Sequence, residues 1–426
     1  MEEPKDTVLI DSEPMDTVMM DGEPADTVMM DGEPMDTVLM DGEPQDTLPM
    51  AYDQPENLPL VFTGSGSEYF RIWIVNLLLM LITLGIYYPW AKVRKLRYFY
   101  GNTLVGGEPL GFHGDPKKMF KGYALVAILF GCYSAAGNFS AGAGFIALLV
   151  ITGLWPALLK SSMQFRLANT SWRGLRFRFT GNLMDAYKAV LPLFAPGALI
   201  VGASAFTGLS PGTQTQMGIL IGLLGLGSGL LSPWLLWNLK NYQHTNFSLG
   251  TEQTRFGTGV WSFYKLSLKV MAVYLGLSLA VGIAFALVGG LAMLYGSSRM
   301  DPQTMALASF WIVPLAFILF VGLNAYWTAR SQDLIWNHTA SDHIQFQSRL
   351  RFRSLFWLNI KNWLLTALTL GLYWPFAAVA TRRLRLQAVS IALTLAVEQL
   401  MADRASNAGD AAGDAAGDFF GFDIGL

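Results

Sequence analysis

The chain has 426 residues, of which 52% are hydrophobic and 14% charged, with a mean hydropathy of +0.37. Soluble domains carry about 25% charged residues, so that class is excluded. A single cysteine, Cys132, excludes an intrachain disulfide framework and a cysteine-rich metal site. The net charge of −2 hides a segregation. Residues 1–57 hold 17 Asp/Glu against one base, Lys5, and the remainder holds 14 acids and 28 bases. An acidic head on a basic, apolar body reads as an integral membrane protein.

The first fifty residues repeat every ten: MEEPKDTVLI, DSEPMDTVMM, DGEPADTVMM, DGEPMDTVLM, DGEPQDTLPM. A proline in each copy (Pro4, Pro14, Pro24, Pro34, Pro44) breaks helices, and dense like charge opposes collapse. Residues 1–57 are therefore expected to be a disordered tail. The start is acidic and lacks the basic region of a signal peptide. Five copies of one motif, each with a threonine open to phosphorylation, offer a multivalent docking array to a protein partner.

The body, residues 58–404, predicts an all-α polytopic membrane domain with about eight transmembrane helices. The spans are 72–91, 122–139, 142–160, 189–208, 217–238, 268–291, 306–327 and 362–379, each about long enough to cross a roughly 30 Å hydrocarbon layer. Between them a cassette recurs. A proline is followed after thirteen residues by Asn, after ten more by Phe and after nine more by Lys. The copies are Pro89, Asn102, Phe112, Lys121; Pro156, Asn169, Phe179, Lys188; and Pro233, Asn246, Phe256, Lys265. A looser fourth copy, Ala325, His338, Phe352 and Lys361, has four extra residues before the Phe. Half-cassettes stand at Phe62–Arg71 and from Pro375 to Arg382, Arg383 and Arg385. This regularity indicates internal duplication.

Within a cassette, apolar Leu175, Phe177 and Phe179 alternate with Arg176 and Arg178, the period of a half-buried strand. Small β-hairpins are predicted, and four of them on one face could pair into a shared sheet. Loops near 92–121, 160–188, 238–265 and 328–361 are rich in Lys and Arg, which places the cassettes in the cytoplasm and their bases against anionic headgroups. The ends conflict with this scheme. Eight crossings put both termini opposite the cassettes, yet the half-cassettes belong beside them. Both end segments carry a similar break, TLGIYYPW at 83–90 and TLGLYWPF at 369–376; full crossings are preferred for their length. After Pro375 a helix is expected to about residue 404, then a flexible tail over 405–426.

FTGSGSEYF at 62–70, NLLLMLITLGIYYPWAKVRKLRYFYGNT at 76–103, GFHG at 111–114, the TLGLYWPF block and the closing FDIGL carry a resemblance. In these residues the chain resembles the YjgN-type family of bacterial inner-membrane proteins, a domain family of unknown function. The resemblance spans about 58–426 and implies a multi-pass protein of the inner (plasma) membrane. It supplies no activity, substrate or catalytic residue.

No Asp, Glu or His lies within the eight spans, which counts against ion coupling. Asn76, Asn138 and Asn324 are the candidate lining or helix-packing residues. The four histidines, His113, His244, His338 and His343, lie in cassettes without cysteine neighbours. No metal, no cofactor and no catalytic group is expected, and nucleic acid is not an expected partner, because the bases sit at membrane edges. The reading is a non-enzymatic membrane protein, either a small-solute transporter or channel, or a scaffold or sensor whose cassettes and tail bind partners.

Overall fold

A computed structural model describes residues 56–206, 211–294 and 302–394. The decapeptide array and the predicted flexible tail lie outside the described residues. Glu56 and Asn57 belong to a strand, β1 (Glu56–Phe62).

Helical pairs and β-hairpins alternate along the chain. The first pair is α1 (Gly66–Ile82) and α2 (Tyr88–Gly101), and β2 (Thr103–Val105) and β3 (Glu108–Phe112) follow. The second pair is α3 (Pro116–Phe139) and α4 (Ala141–Ala168), followed by β4 (Thr170–Trp172) and β5 (Leu175–Phe179). The third is α5 (Leu183–Phe206) and α6 (Pro211–Thr245), followed by β6 (Phe247–Leu249), β7 (Glu252–Gln253) and β8 (Arg255–Phe256). The fourth is α7 (Val260–Leu294) and α8 (Pro302–Trp336), followed by β9 (Thr339–Ala340) and β10 (Ile344–Ser348). The fifth is α9 (Phe352–Leu368) and α10 (Trp374–Gln387), and it ends in β11 (Val389–Leu393). The described residues are mostly helical as expected, and the hairpins with their flanking strands pair into one antiparallel sheet of eleven short strands, a larger sheet than small separate cassettes would make. The helix expected to continue to about 404 stops at Gln387, and β11 replaces it because Val389–Leu393 completes that sheet.

The sheet order is β7-β6-β5-β4-β3-β2-β1-β11-β10-β9-β8. Its two ends, β7 and β8, are neighbours in the chain separated only by Thr254. Glu252 faces Leu249 across one side, and Phe256 faces Thr339 across the other. The sheet therefore closes on itself through a single bent segment, and closure removes the unpaired edges that invite aggregation.

One register repeats around the ring. Between units, Phe62 pairs with Thr103, Phe112 with Thr170, Phe179 with Phe247, Phe256 with Thr339 and Ser348 with Val389. Within hairpins, Val105 pairs with Glu108, Trp172 with Leu175 and Leu249 with Glu252. The fifth hairpin has no turn. It is made by the two ends of the described chain, with Ile391 against Leu58 in the same relative register. This corrects the fourth cassette. Its strand closes at Ser348, ten residues after His338 as in the other copies, so no four-residue insertion exists. Phe352 begins α9, and Trp357, nine residues after Ser348, holds the place that Lys121, Lys188 and Lys265 hold in their helices, so Lys361 is not their counterpart.

The cassette asparagines end the helices. Asn102, Asn169 and Asn246 each donate from Nδ2 to the carbonyl four residues back, at 2.8, 2.8 and 2.7 Å. At the fourth position His338 Nδ1 does the same at 2.8 Å. The carbonyls of Asn102, Asn169, Asn246, His338 and Ala388 then accept from Thr63, His113, Thr180, Gly257 and Arg349, locking each helix end to the preceding unit. The anchoring prolines divide by context. Pro89 and Pro375 sit in the first turn of α2 and α10, where a missing N–H costs nothing, whereas Pro156 and Pro233 lie inside α4 and α6. In the β4–β5 turn Arg173 and Gly174 both adopt positive φ, 46° and 77°, the conformation a two-residue hairpin requires.

Inside the sheet ring, Leu58, Val105, Trp172, Leu175, Leu249, Ile344 and Leu393 form one buried cluster, with Leu60, Leu110, Phe177, Phe346 and Ile391 packed on it. These residues come from β1, β2, β3, β4, β5, β6, β10 and β11, so the ring is plugged by its own side chains. The helices pack in chain order, each on the next, and α10 packs on α1. A ring of helices therefore stands on a ring of strands.

Five helices among the described residues are long and apolar enough to cross a membrane: Pro116–Phe139, Ala141–Ala168, Leu183–Ala203, Thr215–Thr245 and Val260–Ile283. α8 returns to the sheet that α7 leaves. The 72–91 and 362–379 segments are not continuous helices, which corrects the expected crossings. Each turns back on itself. Thr83 Oγ1 donates to Leu79 O at 2.7 Å and accepts from Tyr87 N at 3.0 Å, and Thr369 does the same with Leu365 and Tyr373. Leu84 and Leu370 take φ of 49° at the tips, 93% and 95% exposed. The half-cassette conflict disappears, because both ends of the described chain return to the sheet.

Candidate functional site

Asn76 is buried and staples α1 to α2. Its Nδ2 donates to Ala91 O at 3.4 Å and its Oδ1 accepts from Arg94 at 3.4 Å. Asn362 repeats this in the fifth unit, donating to Ala377 O at 3.4 Å and Thr381 Oγ1 at 3.2 Å. Asn138 lies exposed at the sheet-distal end of α3, and Asn324 is exposed on α8. The three candidate asparagines thus sit on three helices, and one of them is occupied as a staple.

A different group converges. Of the helices that run into the sheet, α4, α6, α8 and α10 carry polar residues one and two turns before their caps, whereas α2 has Phe99 and Leu96 there. Arg166, Lys240, Gln243, Gln332, Arg382 and Arg385 occupy these positions. Arg166 of α4 and Arg385 of α10 are close enough to repel Lys240 of α6 electrostatically, and Arg166 also repels Arg382. Neither α6 nor α4 neighbours α10 in the chain-order packing around the ring, so these charges act on one another between non-adjacent helices.

Arg382 and Arg385 keep more than a third of their surface accessible, yet burial is the largest influence on both guanidinium groups. Both side chains thus reach solvent while protein surrounds much of each group. Burial pushes both groups below the ordinary guanidinium value. Tyr100 partly offsets this for Arg382, and Arg166 adds to it; for Arg385 the added push comes from Arg382. Gln332 fixes Arg385, accepting from Nε at 2.8 Å while its own Nε2 donates to the Arg385 carbonyl at 3.0 Å. Lys240 donates to Gln243 Oε1 at 3.0 Å, and the buried Gln243 Nε2 has no partner within the described protein. No described carboxylate is among the groups acting on Lys240, Arg382 or Arg385.

Sequence reasoning assigned these bases to headgroups, because each lies near a helix end. The one available signal was spacing: Arg166 and Arg385 both stand three residues before a cap, and Lys240 and Arg382 both stand six before.

The histidines have local partners. His113 Nε2 lies 2.8 Å from Ser171 Oγ, His244 is buried among Phe247, Phe256 and Trp336, and His343 Nδ1 lies 2.8 Å from Glu252 Oε1. Among the described residues no group of three or more metal-ligating side chains occurs.

Comparison with known proteins places this architecture. The chain is 27% identical to the inner membrane protein YjgN of Salmonella typhimurium over 337 residues, 75% of this chain and 84% of that protein. It is 26% identical to the YjgN protein of Escherichia coli K12 over 222 residues, half of this chain and 55% of that protein. No solved structure matches it. The model of the family described as "Bacterial protein of unknown function (DUF898)" matches residues 57–419. By this match and its apolar helices, the chain is a multi-pass inner-membrane protein that belongs to this YjgN-type family.

Proposed function

We propose that α4, α6 and α10 enclose a central chamber in which the protein binds small anions, and that it moves them across the membrane through a gated path. The observation that carries this reading is the meeting of Arg166, Lys240, Arg382 and Arg385 from non-neighbouring helices. In this reading α3 to α8 cross the membrane six times, the two end pairs re-enter from the sheet side, and the excess of bases puts that side in the cytoplasm. The apolar plug closes the chamber toward the cytoplasm, so passage requires the ring to shift. Re-entrant, broken helices support transport, since they occur where a solute path needs irregular backbone. The protein acts without catalysis. Its basic loops contact anionic headgroups, and the acidic repeat tail recruits a protein partner.

The sealed ring also fits a sensor that binds an anion and signals by conformation. The two readings separate in one experiment. Purified protein is screened for thermal stabilisation by inorganic and carboxylate anions, then reconstituted in proteoliposomes with the stabilising anion. Stabilisation with flux that Arg382→Gln abolishes supports transport. Stabilisation without flux selects the sensor, and the absence of any anion effect removes the chamber from the mechanism.

A further inference from the structure

A second basic site lies away from the chamber, where α7 leaves the sheet and α8 returns. Ser262, Lys265, Leu266 and Lys269 of α7 face Tyr326, Arg330 and Leu334 of α8 across a cleft of about 400 Å³. Three cations share this cleft. Arg330 stacks its guanidinium over the Tyr326 ring at 5.8 Å, which orients its donors. Asp333, three residues after Arg330, is already engaged. Its Oδ1 accepts from Ser348 Oγ and Leu350 N, both at 2.9 Å, and its Oδ2 reaches Arg330 only at 3.9 Å.

Comparison with the preceding unit sharpens the point. Lys188 is the counterpart of Lys265, and it is neutralised by Asp185 at 3.2 Å, three residues earlier. At the matching position before Lys265 the chain has Ser262, a hydroxyl donor lining the cleft. The unit has exchanged a carboxylate for a donor and added Lys269 and Arg330. From Leu268 onward α7 presents apolar residues on its uncovered face: Leu268 is 70% exposed, Leu275 57% and Leu279 65%. A phosphate site therefore continues into a surface that acyl chains cover.

We propose that this cleft binds the phosphate of an anionic phospholipid. Arg330 and the two lysines hold the phosphate oxygens, Ser262 donates to one of them, and the acyl chains lie along α7. The site is independent of the central chamber.

The test uses the full-length protein in nanodiscs of phosphatidylcholine with graded phosphatidylglycerol, reading bound lipid by native mass spectrometry and the thermal midpoint in parallel. Lys269→Gln with Arg330→Gln is expected to lower phosphatidylglycerol retention by roughly thirtyfold, since each of the two surface bases contributes about 1 kcal/mol toward anionic lipid. Its midpoint in pure phosphatidylcholine should match that of the unsubstituted protein, which shows that the variant folds. Ser262→Asp restores the neutralising acid and should weaken retention in the same direction. Inorganic phosphate at millimolar concentration should not displace the lipid. Displacement by phosphate would mean that the cleft serves a free phosphate and overturn the lipid assignment. Unchanged retention in both variants would overturn the site.

Discussion

Glu252 and His343 close the sheet ring. The His343 Nδ1 to Glu252 Oε1 distance is 2.8 Å, the His343 amide donates to the same carboxylate at 3.3 Å, and beside them Arg255 pairs with Asp342 at 3.1 Å. Glu252 occupies a strand position that Leu58, Leu175 and Ile344 fill with apolar side chains in other units. Its side chain is only 11% exposed. The third unit therefore exchanges an apolar plug residue for a polar clasp at the point where the chain bends from β7 into β8.

The clasp predicts a pH-dependent loss of stability. Burial pushes the Glu252 carboxyl up, but hydrogen bonds from Ser341 and His343 outweigh this and hold it below the ordinary value. A depressed carboxyl contributes stability above its unfolded value, and that contribution is lost as pH falls through the folded value. Glu252→Gln should cost about 1 kcal/mol at neutral pH and flatten the acid side of the stability profile below about pH 4.5. Thermal midpoints of both proteins across pH 3–7 check this. A parallel acid slope in the variant assigns the effect elsewhere.

The two asparagine staples should be equivalent. Asn76→Ala and Asn362→Ala each remove a buried side chain that joins the halves of a re-entrant pair, at an expected cost of about 1–2 kcal/mol. Asn138→Ala, at an exposed helix end, should stay within about 0.5 kcal/mol. Unfolding in detergent measures all three, and equal effects at 76 and 138 would contradict the staple.

Topology is the sharpest difference between eight crossings and the re-entrant arrangement. In a Cys132→Ala background, single cysteines at Asn57, Glu108 and Gln347 should behave identically toward an impermeant thiol reagent on intact cells. Ser140→Cys, at the α3–α4 junction, should behave oppositely. Labelling of position 57 in step with 140 rather than 108 would restore the full first crossing.

Charge repulsion in the chamber has a signed consequence. Lys240→Gln relieves the repulsion that Arg166 and Arg385 exert, so the unliganded protein should gain stability by about 0.5–1 kcal/mol. The same change should reduce stabilisation by anions, because binding raises stability in proportion to affinity for the folded state. Thermal midpoints with and without anion give both numbers. A variant that loses stability without anion while keeping the full anion response would mean that Lys240 serves packing alone.

Local chemistry is what the sequence by itself determined. The apolar lengths of α3 to α8, the alternation in β5, and the asparagine caps thirteen residues after each proline follow from periodicity and hydrogen-bonding capacity. These are properties of neighbouring residues. Thr83 and Thr369 were visible too, in the TLG breaks, but a threonine and a glycine in an apolar run allow either a kink or a reversal. Only the contact of Asn76 with Ala91, fifteen residues away, decided for reversal. The fourth cassette was misaligned because Phe352 looked like its strand end, while Ser348 holds that place through pairing with Val389, a residue from another unit. The ring itself is wholly tertiary. Its fifth hairpin joins Leu58 to Ile391 across the whole chain, and its chamber gathers Arg166, Lys240, Arg382 and Arg385 from helices that never neighbour one another. No window of sequence contains such relations, because closure is set by the register of all the units together.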